Sequence, residues 1–166
     1  MSKIARIPIA GIVLVLAGCA AFRAPPVPGD TEAVVIQQLG KPNATYPEPG
    51  GGRELEYTQQ PMGQFCYMAH IGPDGKLTKY EQVLTGPVFA TIQVGKATKE
   101  DVLRTIGHPA QTSRVAFHDY EVWSYRYRES GIWNSMMYVH FDQAGIVRQM
   151  LNGPDPRYSA DGSMNR

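Results

Sequence analysis

The chain is written twice, and that limits its fold to something that can be built from two related pieces. Val35, Leu39, Gly40 and Pro42 align with Val102, Ile106, Gly107 and Pro109 at an offset of 67. Leu55-Glu56-Tyr57 then matches Trp123-Ser124-Tyr125 at 68, and Ala69-His70-Ile71 with Gly75 matches Val139-His140-Phe141 with Gly145 at 70. Small loop insertions account for the drift. A repeat of this length is one supersecondary unit, and a unit of roughly 60 residues is marginal alone, which favours pairing of the two.

Each copy reads as helix, then strands. Thr98 caps a helix with Asp101 three residues on; Val102, Leu103 and Ile106 form its apolar stripe, Gly107 ends it and Pro109 blocks its continuation. Val88, Phe89 and Ile92 have helical spacing and predict a short preceding helix that the first copy lacks. The first copy starts its own helix at about residues 31–39. Alternation then predicts strands over 122–127, 136–141 and 146–151, with Trp123, Tyr125 and Tyr127 on one face. The first copy repeats them at 55–59, 65–71 and 76–83. Turn signals at Gly72-Pro73-Asp74-Gly75 and Asp142-Gln143-Ala144-Gly145 join the last two strands of each copy. Each copy is thus expected to be α+β, a helix or two on a three-stranded antiparallel sheet. The Pro- and Gly-rich stretch 43–52 is expected to be a mobile loop, and 152–166 a disordered tail.

Ahead of the repeats, Lys3 and Arg6 precede an apolar run of 11 residues, 7–17. A spanning helix needs about 20, and the run closes on small residues, the layout of a cleaved export signal over residues 1–18. Leu16-Ala17-Gly18-Cys19 resembles a bacterial lipobox, which implies acylation of Cys19. Ala20 in place of aspartate then implies the periplasmic face of the outer membrane. Residues 19–29, with Pro25, Pro26 and Pro28, read as a tether.

The second copy carries Ile92, Gly95, Thr98, Val102, Ile106, Gly107, Pro109, Trp123, Tyr125, Val139, Phe141, Asp142 and Gly145 in order over about sixty residues. This pattern resembles the SmpA/OmlA, or BamE-like, outer-membrane lipoprotein domain. It departs at Lys96-Ala97, where one residue is the usual length. The resemblance implies two tandem BamE-like units, at 30–84 (a degenerate copy) and 86–151, and a non-enzymatic accessory role in β-barrel assembly and envelope integrity. Paired units are also found in a secreted β-lactamase inhibitor family, an architectural analogy that leaves a stand-alone protein-binding module as the alternative.

Lys plus Arg is 16 against 15 for Asp plus Glu, so the chain has no electrostatic footprint for nucleic acid. Strict alternation turns Cys66, Met68, His70, Thr78, Tyr80, Met136, Tyr138, His140, Arg148 and Met150 away from the helices. An antiparallel sheet normally turns a polar face to water, so this apolar face either pairs the two units or binds a partner. Met136, Tyr138, His140, Arg148, Met150, Met68 and Tyr80 are the candidate contacts. Arg126, Arg128 and Arg148 read as solvated rim residues or as contacts for anionic lipid or carboxylates. Cys66 reads as a small hydrophobe rather than a nucleophile, since His70 lies about 13 Å along the strand. His70 and His140 occupy equivalent positions but lack companions at zinc spacing. No cofactor, metal or catalytic residue is expected.

Overall fold

The computed structural model describes residues 24–116 and 119–158. The expected export signal, Cys19, the start of the expected tether and residues 159–166 lie outside the described residues. Thr31 and Thr98 each open a helix because their hydroxyls accept a backbone N–H three residues on, from Val34 and Asp101. At Thr98 the box is complete, since the Asp101 carboxylate accepts the Thr98 N–H at 2.8 Å. These bonds hold the Asp101 carboxyl below its usual range. The helices are α1 (Glu32–Leu39) and, in the second half, α2 (Gly86–Phe89) and α3 (Lys99–Ile106). None among the described residues is long and apolar enough to cross a membrane.

The strands make two four-stranded antiparallel sheets, each a simple meander. The first is β1 (Ala44–Pro47), β2 (Arg53–Thr58), β3 (Cys66–Ile71) and β4 (Leu77–Gln82); the second is β5 (Gln111–Val115), β6 (Tyr120–Glu129), β7 (Trp133–Phe141) and β8 (Val147–Pro154). This corrects the expected α+β units on three-stranded sheets: the fold is dominated by its sheets and each has one more strand. Both added strands lie at an edge. β1 occupies the stretch expected to be mobile, and its Pro47 is tolerated because an edge strand needs ladder bonds on one side only. In β5 every residue is exposed, so no alternation marks it. β8 also runs to Pro154, and Asp155 beyond it is buried, so the expected tail begins later than residue 152. At the other end Pro26 is buried and Gly29 N–H donates to Leu77 C=O, so the last part of the stretch expected to be a tether belongs to the fold.

Several backbone hydrogen bonds of one half recur in the other. Glu32 N–H to Gly75 C=O at 3.0 Å recurs as Lys99 to Gly145 at 3.1 Å; Gly29 to Leu77 at 2.8 Å recurs as Gly95 to Val147 at 2.7 Å. Gly40 and Gly107 end α1 and α3 with φ of 88° and 77°. A register shift at His70/Ile71 recurs at His140/Phe141.

The halves differ in what covers them. Val35 of α1 packs with Leu55, Ala69, Ile71 and Leu77 on one face of the first sheet. The opposite face of that sheet, with Cys66 and Met68, belongs to the larger core, which holds Phe89, Val102 and Ile106 from the helices and Trp123, Tyr125, Val139 and Phe141 from the second sheet. Burial on this scale is the main favourable term in folding. α3 therefore lies between the two sheets.

Candidate interaction surface

Where α3 ends, the halves are pinned by a buried carboxylate. Glu56 has no exposed side-chain surface, and it accepts hydrogen bonds from Tyr46 Oη at 2.7 Å and from the His108 backbone N–H at 2.9 Å, with His108 Nδ1 at 2.8 Å. A buried charge is tolerable only with such satisfaction. Tyr125 Oη donates to the Gly107 carbonyl at 3.0 Å beside it. Burial, and then the Glu56 charge, pushes the Cys66 thiol up to about 12, so it stays protonated.

A second contact closes an open edge. β5 pairs with β6 only from Tyr120 to Ser124, leaving the outer side of Arg126 and Tyr127 without a strand. The Gln60 side chain fills the place: its Nε2 donates to Arg126 C=O at 2.7 Å and its Oε1 accepts Arg126 N–H at 3.3 Å, as a paired strand residue would. Gln64 Nε2 reaches Tyr127 C=O at 3.4 Å and Asn134 Oδ1 at 3.1 Å.

On the face of the second sheet turned away from the helices, Tyr138 stands between Ser124 and Leu151, and His140 between Val122 and Gln149. Val122, Ser124 and Met136 are buried at its floor. Tyr138 and His140 are half-buried, and Leu151 is exposed. His140 meets Tyr120 edge-on with ring centroids 6.4 Å apart. Burial holds its imidazole below the ordinary value. The unfolded chain therefore takes up this proton first, and the stability His140 allows is lost as pH falls below about 6.5. Between pH 7 and pH 5 the wild type is expected to lose more thermal stability than His140→Gln. Parallel melting curves would refute this.

The sequence-derived contacts do not all share this face. Met68 and Met136 are buried, with 0% and 2% of their surface exposed, so neither is available at the surface. The register shifts move two others. Thr78 and Arg148 are the additional residues at the shifts, so Tyr80 pairs with Ala69, and Met150 with Val139, on the helix side. Tyr80 stacks on Tyr67 at 5.1 Å, and Met150 lines a groove of about 420 Å3 with Phe89, Ile92, Val94, Tyr127 and Met137. Arg148 is exposed and donates to Asp142 at 2.6 Å. His70 is ringed by Glu48, Glu81 and Glu54 at 2.8, 3.3 and 3.7 Å. Among the described residues no group of three or more His, Cys, Asp or Glu side chains is placed to hold a metal ion.

Sequence reasoning missed the tip of the β6–β7 hairpin, where Ile132 and Trp133 are 66% and 68% exposed. The signal was an apolar pair directly after Ser130-Gly131, a turn, where nothing can cover it.

No curated protein matches the chain. Among solved structures, a DUF4309 family protein (YjgB) from Bacillus subtilis subsp. subtilis is similar at 20% identity, over 75% of this chain and 78% of that one, with a TM-score of 0.33. Residues 81–150, from the end of β4 through Met150 in β8, match the family model described as the outer membrane protein assembly factor BamE domain.

Proposed function

We propose that this protein is an accessory factor of outer-membrane protein assembly, held on the periplasmic face of the outer membrane by an acylated Cys19 and acting through protein contacts rather than catalysis. The match of residues 81–150 to the BamE domain carries the reading. On this reading the first half is a diverged copy of the same unit, which the recurrence of several backbone hydrogen bonds and of the glycine-ended helix supports, while only the second half is matched. The partner meets the second sheet around Tyr138, His140 and Leu151, whose aromatic and apolar side chains suit an interface. Detergent extraction and pull-down of the tagged lipoprotein is expected to recover β-barrel assembly subunits. Tyr138→Ala is expected to reduce that recovery several-fold with an unchanged melting temperature. Recovery of one unrelated periplasmic protein instead would overturn the assignment in favour of a stand-alone binding module.

A further inference from the structure

Three separate segments converge at one end of the second sheet, and each presents a large apolar side chain to solvent. The hub is Asn134: its Oδ1 accepts from Gln64 and from Arg128, and its carbonyl accepts the Asp155 N–H at 3.0 Å. Around it stand Met62, Ile132, Trp133 and Tyr158, between 54% and 69% exposed. Arg157 ties the loop of Met62 to the C-terminal segment through the Met62 carbonyl at 3.3 Å. Exposed apolar side chains that are single and scattered need no account, whereas a group gathered at one end does.

The shape and the charges select the occupant. The group sits on a hairpin tip and two loops, so it projects rather than receives. Arg128 and Arg157 stand among these residues; both hydrogen-bond to backbone carbonyls, and neither is in an ion pair among the described residues. Of the carboxylates at this end among the described residues, Glu129 is turned to Ser135 and Asn152 and Asp155 is buried against Arg126. A projecting Trp and Tyr beside guanidinium groups bonded only to neutral acceptors matches the boundary between phosphate headgroups and acyl chains, where amphipathic rings settle and arginine meets phosphate.

We propose that this end of the molecule, led by Ile132 and Trp133, inserts into the headgroup region of a phospholipid bilayer, with Arg128 and Arg157 on lipid phosphates. It is a second membrane contact, distinct from the acyl anchor, and it fixes which face of the protein is turned to the lipid. The proposal rests on the reading of Cys19 as lipid-bearing to bring a bilayer within reach.

Trp133 reports on it directly, because the other tryptophan, Trp123, is only 8% exposed and lies in the core. The full lipoprotein is reconstituted in vesicles of zwitterionic phospholipid, with and without anionic phospholipid, carrying either plain or brominated acyl chains. Trp133 emission, taken as the difference between wild type and Trp133→Phe, is expected to shift to the blue and to lose half or more of its intensity with brominated chains. In anionic vesicles, Arg128→Gln with Arg157→Gln is expected to reduce the quenching. Ile132→Ser is expected to reduce it in both vesicle types. Water-like, unquenched Trp133 emission in both vesicle types, or a blue shift only on adding a partner protein, would overturn the proposal. Loss of vesicle sedimentation in Cys19→Ser reports the anchor separately.

Discussion

Gly107→Ala is expected to cost about 4 kcal/mol, and Gly40→Ala, the same substitution at the equivalent residue of the first half, only about half as much. Both glycines end a helix in the same backbone conformation, with φ and ψ of 77° and −166° at Gly107 and 88° and −169° at Gly40. A side chain there costs of order 1–3 kcal/mol whatever surrounds it. The surroundings then differ. A Cβ on Gly40 meets nothing within 4 Å, whereas one on Gly107 would stand 2.7 Å from Cys66 Sγ and 2.9 Å from Glu56 Oε1. Neither can withdraw: Cys66 is fully buried and Glu56 is fixed by Tyr46 and His108. Overpacking of this kind adds about 1–3 kcal/mol. Denaturant unfolding of the two variants measures the difference, which belongs to the close approach of the first sheet to the end of α3. Equal losses would show that the halves do not press together there.

Asp155→Ala is expected to destabilise by about 3–5 kcal/mol, the usual cost of removing one member of a buried ion pair. Asp155 pairs with the Arg126 guanidinium, with 0% and 15% of the two side chains exposed. Its carboxylate also accepts the Arg157 N–H at 3.0 Å. Truncation leaves a guanidinium under cover without its counter-ion. The damage is expected to be relieved in Arg126→Met with Asp155→Leu, because an apolar pair of similar volume is often no less stable than the ions it replaces. Thermal melts of the three variants decide it. A double variant as unstable as Asp155→Ala would mean that the carboxylate's bond to the Arg157 N–H, not its pairing with Arg126, is what matters.

What the sequence displayed was local. Thr98 with Asp101, Gly107 before Pro109, and the Gly72–Gly75 and Asp142–Gly145 turns each state their geometry within four residues, and each is found as read. Face assignment held while strict alternation held, which places Trp123, Tyr125 and Tyr127 in the core. It failed at Thr78 and Arg148, because one additional residue in a strand turns everything after it over. The edge strands were hidden for different reasons: Pro47 is a strand-breaking signal except at an edge, and Gln111 to Val115 buries nothing that would mark it. Glu56 stands between Leu55 and Tyr57 with nothing local to mark it as buried. Its burial depends on His108, 52 positions away, and no local pattern records such a partner.

Gln60 and Gln64 have a further consequence for how the molecule can be divided. The matched segment begins at residue 81, after both glutamines. A fragment cut at that boundary would leave the backbone N–H and C=O of Arg126 bare along an open β6 edge, next to core side chains stripped of Cys66 and Met68. Such an edge is a template for pairing with another copy. The first half thus covers an edge and part of the core of the second, and the boundary of the matched segment is not a boundary of packing.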